Sequence, residues 1–122
     1  MKRTTWQYLP QRVRQALIDL ARQYQAEGAK LFVFGSFARS EAHPTSDLDI
    51  GVEWQEERQA EVFRQLYRDI QALPTIRPVD LVDFALVDQI FAQNVGADKI
   101  YLAELESTKV GTTNDEKAVA QS

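Results

Sequence analysis

The chain of 122 residues contains no cysteine and a single histidine. The absence of cysteine excludes disulfide bonds, zinc sites built on thiolates and catalysis by a thiol. No apolar stretch approaches the roughly 20 residues that cross a bilayer, and the N-terminal residues lack the apolar core of a signal peptide. We therefore expect a soluble, cytoplasmic protein that makes no contact with a membrane.

Positive charge is also scarce, because 14 Lys and Arg residues face 18 Asp and Glu residues and leave a net charge of −4. That balance disfavours direct binding to nucleic acid, which normally requires a clustered basic face. The length allows one domain with its own core. Small and polar residues dominate from position 106 onward, so we expect a single domain over residues 1–105 and a disordered tail over 106–122.

The spacing of apolar residues predicts alternating helices and strands. Helices are predicted at 9–27, 37–41 and 56–73, and strands at 30–34, 47–53 and 79–84. The segment 86–105 fits either two short helices or one helix followed by a strand. These elements predict an α/β fold in which α-helices flank a small mixed β-sheet, in the order α-β-α-β-α-β-α.

A glycine-serine pair follows the first predicted strand directly. Gly35 allows a ligand to approach the backbone closely, and the Ser36 hydroxyl and the amides after it can donate hydrogen bonds to phosphate oxygens. Arg39 lies three residues further on, where its guanidinium could reach a phosphate or pair with a carboxylate. By itself a Gly-Ser pair is a common turn, so this segment is only a candidate phosphate-binding site.

Two aspartates alternate along the second predicted strand. Residues two apart in a strand project from one face, so Asp47 and Asp49 should emerge side by side, with Leu48 and Ile50 on the opposite face. Carboxylates at that separation repel each other, and a divalent cation relieves the repulsion. Ligands that are all oxygen favour Mg²⁺ or Mn²⁺ over Zn²⁺.

The third predicted strand offers a further carboxylate from Asp80 or Asp83. An odd separation sends these two side chains to opposite faces of an unbulged strand, so only one of them can join the first pair. We favour Asp80, because it stands among apolar neighbours in the sequence, where an unpaired carboxylate is costly. Asp80 is then a candidate general base, or a further ligand of the cation.

In combination, Gly35-Ser36, ten intervening residues, Asp47-x-Asp49 and the downstream Asp80 resemble the nucleotidyltransferase superfamily of the DNA polymerase beta type. The nearest similarity is to its single-domain branch, the minimal nucleotidyltransferases, over about residues 10–105. The resemblance implies that the glycine and the serine bind nucleotide phosphates. It also implies that the three aspartates bind Mg²⁺ and carry the catalysis.

Many members of that branch are similar to antitoxins that transfer AMP from ATP to a tyrosine of a cognate HEPN toxin, which implies the same substrate and partner here. We also expect a chain this short to lack a second domain that could hold an acceptor. Two alternatives remain open, namely a small-molecule nucleotidyltransferase that acts with a helical partner subunit and an antitoxin that acts by occlusion alone. Occlusion is conceivable because Phe37 and Ser40 replace residues that are often arginine and glycine in the family.

Overall fold

Four strands and three α-helices make up the part of the chain that this computed structural model describes, which is residues 6–39, 47–96 and 98–106. In chain order they are α1 (Gln11–Gln25), β1 (Ala29–Phe34), β2 (Leu48–Trp54), α2 (Ala60–Gln71), β3 (Val79–Asp83), α3 (Gln89–Val95) and β4 (Ile100–Tyr101). None of the described helices is long and apolar enough to span a membrane.

The strands form one mixed sheet in the order β3-β2-β1-β4. β1 pairs antiparallel with both β2 and β4, whereas β2 and β3 run parallel and are joined by a crossover through α2. The antiparallel pairing places the end of β1 beside the start of β2, and the parallel pairing places the start of β3 there too. Three strand termini therefore lie side by side at one end of the sheet.

One face of the sheet is covered by α1 and α2 and contains the main core. Alternate residues of the two central strands point into it, and the helices contribute a matching apolar stripe. The buried members from these elements are Val13, Leu17, Ile18, Ala21, Tyr24, Ala29, Leu31, Val33, Leu48, Ile50, Val52, Leu66 and Ile70. A hydrogen bond of 2.6 Å from the Tyr24 hydroxyl to Asp69 Oδ2 joins the two helices.

The opposite face of the sheet carries aromatic side chains and is covered in part by α3. The rings of Phe32 and Phe84 meet edge to face with centroids 4.8 Å apart. Gly51 lies beneath them, where a Cβ atom would stand 2.4 Å from Phe32 Cζ and 2.7 Å from Phe84 Cε1. The aromatic layer can lie this close to the sheet only because residue 51 has no side chain.

Asp83 is the one buried charged residue among those described, with 6% of its surface exposed. Trp54 Nε1 donates to its Oδ1 at 2.9 Å and Arg58 Nε to its Oδ2 at 2.5 Å. These bonds tie β3 to the end of β2 and to the segment that precedes α2. They also explain why α2 begins at Ala60 and not at residue 56, since Arg58 is held against Asp83 outside the helix.

The predicted fold class is confirmed, because the sheet is small, mixed and flanked by helices. The helix expected at 37–41 is a single 3-10 turn at Gly35–Phe37, and residues 40–46 lie outside the described ranges. The alternatives for 86–105 are resolved in favour of a helix followed by a strand. The tail predicted over 106–122 lies outside the described residues except for its first position, so its disorder remains a prediction.

We predict that Gly51→Ala lowers the free energy of unfolding by about 1–3 kcal/mol, because the new methyl group must displace two aromatic rings. Urea denaturation of the purified chain measures the change. Replacing the nearest ring by a smaller side chain in Phe32→Leu should reduce the loss of stability that Gly51→Ala causes, which a double-mutant cycle measures. An equal penalty in both backgrounds would show that the ring contact is not its cause.

We further predict that Asp83→Ala destabilises the chain by about 3 kcal/mol, because it leaves a guanidinium and an indole N–H without their buried partner. The matched change Asp80→Ala removes an exposed carboxylate from the same strand and should alter stability by less than about 0.5 kcal/mol. Thermal unfolding of both variants separates the structural aspartate from the other. Similar losses at the two positions would contradict the assignment.

Candidate functional site

The predicted site residues converge where the three strand termini meet. Phe34, the last residue of β1, pairs with Asp49 of β2, and Asp49 in turn pairs with Asp80 of β3. Paired residues in adjacent strands project from the same face, so the two carboxylates stand side by side. Asp49 is half-buried on a central strand, whereas Asp80 is exposed on the edge strand.

Gly35 gives this site its close approach between backbone and carboxylate. Its φ of +73° lies in the left-handed region, and a Cβ atom there would stand 2.3 Å from Asp49 Oδ2. Its carbonyl accepts hydrogen bonds from Ala38 N at 3.0 Å and Arg39 N at 3.2 Å, which closes the turn after the strand. Only glycine satisfies both the backbone angle and the space beside Asp49.

The electrostatics of Asp49 show that the acids act on one another. The pKa of Asp49 is raised to about 6, most strongly by burial and also by the negative charges of Asp80 and Asp47, while the positive charge of Arg39 opposes them. Three of the other five predicted site residues are therefore close enough to influence the Asp49 carboxyl group. A raised carboxyl pKa at a cluster of like charges is typical of functional sites.

The donor chemistry of the cluster fits a hard divalent cation. Carboxylate oxygens are the ligands that such ions prefer, and a bound cation would relieve the repulsion that raises the pKa of Asp49. Among the described residues, however, no set of three or more His, Cys, Asp or Glu side chains is already arranged to hold a metal ion.

The structure separates the two aspartates of β3 as their spacing predicts. Asp80 lies beside Asp49, while Asp83 lies on the helix-covered side with Trp54 and Arg58. The reason given for favouring Asp80 was wrong, because it is Asp83 that is buried and Asp80 that is exposed. What selects Asp80 is its register with Asp49, which the apolar sequence around it does not reveal.

Glu53 lies further along β2 on the same face as Asp49 and belongs to a different cluster. Its carboxylate accepts hydrogen bonds from Lys99 Nζ at 2.7 Å and from the Tyr101 hydroxyl at 2.9 Å. Burial acts to raise its pKa, but these two bonds hold the pKa of Glu53 below its usual range. Its charge is therefore already balanced by neighbours at the far end of the face.

Aromatic residues that the sequence reasoning missed line the cavity around the acids. This cavity has a volume of about 550 Å³ and contains Asp49 and Asp80 together with Phe34, Tyr67 and Phe91. Tyr67 is half-exposed on α2 and Phe91 on α3, at 49% and 39%. The signal that could have indicated a role for them is that large aromatic side chains stay exposed on a helix. Their spacing in the sequence, however, does not show that they lie near the acids.

Arg77 is a second residue that the sequence reasoning missed. Its guanidinium lies over the ring of Phe37, with Cζ 4.9 Å from the ring centroid. Phe37 itself is 2% exposed and packs in the core, so this residue of the turn contributes to packing. Its ring also supports the guanidinium of Arg77, which lies just before β3. Ser40, the other departure from the family pattern, lies outside the described residues.

We predict that Asp49→Asn stabilises the chain by about 1 kcal/mol at pH 7 without divalent cations, after allowance for solvent screening. The folded state binds the Asp49 proton more tightly than the unfolded state does, so stability falls as pH rises from about 4 through the folded pKa of about 6. The gain should vanish near pH 4. Urea denaturation in EDTA tests this, with Asp19→Asn on the exposed face of α1 as the control. A gain that is constant with pH would contradict the assignment.

Solved structures support the fold. One chain in a crystal structure of the toxin-antitoxin MntA-HpeT mutant is 21% identical with a TM-score of 0.56, covering 73% of this chain and 71% of that one. A toxin-antitoxin crystal structure with AMP-PNP gives 24% identity, a TM-score of 0.51 and the same coverage. A third, the tri-AMPylated Shewanella oneidensis HEPN toxin in complex with MNT antitoxin, reaches 21% identity over 74% and 68% of the two chains, and its TM-score of 0.46 is too low to support an argument.

No curated protein matches the sequence significantly. The family model described as polymerase beta, nucleotidyltransferase matches residues 15–108, which include every predicted site residue and all of the sheet. The chain therefore belongs to the polymerase beta nucleotidyltransferase family.

Proposed function

We propose that the chain transfers AMP from ATP to a tyrosine hydroxyl of a cognate HEPN-type toxin and thereby neutralises it. The observation that carries the proposal is the register that sets Asp49 and Asp80 side by side against Gly35. Family membership supports the reaction class. The fold that the chain shares with toxin-antitoxin proteins, one of them with AMP-PNP, supports ATP as the substrate and a toxin as the partner.

In this proposal the turn after β1 holds the phosphates of ATP. The Gly35 backbone allows close approach, and the Ser36 hydroxyl donates a hydrogen bond. Arg39, which already acts on Asp49, contributes positive charge. Arg77, held over Phe37 behind the same turn, contributes a second guanidinium. These cations offset the negative charge that ATP would bring to an acidic site.

The metal ion, Mg²⁺ or Mn²⁺, would be held by Asp47, Asp49 and Asp80. When bound, the ion neutralises charge on the triphosphate and on the pyrophosphate that leaves. Asp49, half-buried on a central strand, provides the fixed ligand. Asp80 is exposed on the edge strand and can be reached by a group from another molecule.

The transfer step exchanges a phosphoanhydride bond of ATP for a phosphate ester bond to the tyrosine. The tyrosine oxygen attacks the α-phosphorus of ATP, a bond forms between them, and the bond from that phosphorus to the oxygen bridging to the β-phosphate breaks. Pyrophosphate leaves with the electrons of the broken bond. The hydroxyl proton passes to the Asp80 carboxylate, which acts as the general base.

We predict that Asp49→Asn lowers AMP transfer at least about a hundredfold, because the amide has no negative charge to hold a cation. The assay combines the purified chain with Mg²⁺, labelled ATP and the HEPN-type toxin, and mass spectrometry locates any added AMP. Asp19→Asn, on the helix-covered side, is the matched control and should retain full activity.

The same experiment separates the alternatives. Label on a metabolite, with none on the toxin, would identify a small-molecule nucleotidyltransferase. Full neutralisation of the toxin by Asp49→Asn without AMP transfer would identify occlusion. Either result contradicts the proposed reaction.

We also predict that Arg77→Ala raises KM for ATP about tenfold, which corresponds to the loss of one charge-assisted hydrogen bond to phosphate. Arg77→Lys should recover part of the loss, since it keeps the charge but not the planar group that stacks on Phe37. Arg64→Ala, which removes an exposed guanidinium paired with Glu61 on α2, is the control. An unchanged KM in both alanine variants would remove Arg77 from the phosphate site.

A further inference from the structure

An exposed apolar surface adjoins the acidic cavity. Leu86, Ile90 and Phe91 have 68%, 71% and 39% of their surfaces exposed and lie within six consecutive residues at the start of α3. We call these three residues the α3 surface. Single exposed apolar residues are common in soluble proteins, but three large ones in one short segment indicate an interaction site.

Phe91 joins the α3 surface to the candidate site. Its ring centroid lies 6.1 Å from that of Phe34 and 5.7 Å from that of Phe84, so it rests on the aromatic layer of the sheet. It also lines the cavity that contains Asp49 and Asp80. A molecule that covers the α3 surface would therefore lie directly beside the carboxylates.

We propose that the α3 surface is where the acceptor protein docks, and that the acceptor presents apolar side chains bordered by basic ones. This inference rests on the proposed function, because it assigns a binding surface to the partner of that reaction. Burying an aliphatic or aromatic side chain removes its apolar surface from water and so stabilises a complex. Leu86, Ile90 and Phe91 leave much of that stabilisation unused in the isolated chain.

Charge next to the surface selects the kind of occupant. Asp80 and Asp88 are both exposed, and Asp88 is fixed in place because its Oδ1 accepts a 2.8 Å hydrogen bond from Phe91 N at the start of α3. Basic side chains on the acceptor would complement these carboxylates. The same carboxylates disfavour a nucleic acid, whose phosphates they repel.

The carboxylates also disfavour a second copy of the chain. A two-fold interface places the same patch of both copies face to face, so the Asp80 and Asp88 carboxylates of the two copies would lie in one interface. Like charges in an interface are repulsive. A different protein with the opposite charge is the occupant that fits both the apolar and the acidic parts.

The test is binding of the full chain to the HEPN-type toxin, measured calorimetrically without nucleotide so that catalysis plays no part. Ile90→Glu should weaken binding at least tenfold, because it places a charge in the apolar contact. Tyr8→Glu is the matched control: Tyr8 has the same 71% exposure but belongs to the 3-10 turn that packs through Trp6 into the core on the helix-covered side. This variant should bind as the parent chain does.

A second variant tests the charged border. Asp88→Asn removes the charge but keeps an oxygen that can cap α3, so the helix should persist. We expect binding several-fold weaker than that of the parent chain and less sensitive to salt. Unchanged affinity and salt dependence would overturn the basic character of the acceptor surface.

The outcomes distinguish docking from chemistry. If Ile90→Glu blocks binding but the parent chain transfers no AMP, docking stands and the proposed function fails. If Ile90→Glu binds the toxin and transfers AMP to it at the full rate at low toxin concentration, the α3 surface is not the docking site although the function stands. Failure of the parent chain to bind the toxin would overturn the docking proposal.

Light scattering of the chain alone completes the test. A parent chain that is dimeric and becomes monomeric through Ile90→Glu would show that a second copy covers the surface, which contradicts the proposal. We expect the same oligomeric state for both chains. Unchanged ATP binding by Ile90→Glu would show that the variant keeps its fold and nucleotide site.

Discussion

The pairing of β2 with β1 on one side and with β3 on the other is the constraint on which the rest of the structure depends. It sets Asp49 beside the end of β1 and directly opposite Asp80. A slip of one residue in either pairing would turn Asp49 toward the helix-covered core and bring Leu48 or Ile50 to the open face. The burial of those two apolar neighbours is therefore what holds the carboxylates in place, so packing on one face positions chemistry on the other.

The site is electrostatically unfavourable without a ligand, and the chain accommodates this locally. Burial and the charges of Asp80 and Asp47 raise the pKa of Asp49, while Arg39 offsets part of the repulsion. Gly35 removes a side chain where Asp49 needs space. Such local conflicts with stability are expected where residues serve binding or catalysis, because the missing counter-charge is supplied by the ligands.

The two faces of the sheet have different roles, since one contains the main core and the other contains the candidate site. The helix-covered face buries the apolar stripes of both long helices and closes the bonds around Asp83. On the other face the aromatic layer and the short α3 leave the acidic cavity open, with Phe91 partly exposed beside it. A domain with a complete core on one side can present an incompletely covered surface on the other.

Local patterns in the sequence were enough to predict the fold class, both long helices, the first three strands and the candidates Gly35, Ser36, Arg39, Asp47 and Asp49, because periodicity and turn chemistry are local properties. Strand parity limited the third acid to Asp80 or Asp83, but the apolar neighbours of Asp80 favoured it for the wrong reason. The folded structure was needed to show that Asp83 is the buried, paired aspartate, that Arg77 lies on Phe37, and that Phe91 and Tyr67 line the cavity. These contacts join residues far apart in the chain, and strand register, which no local pattern encodes, brings them together.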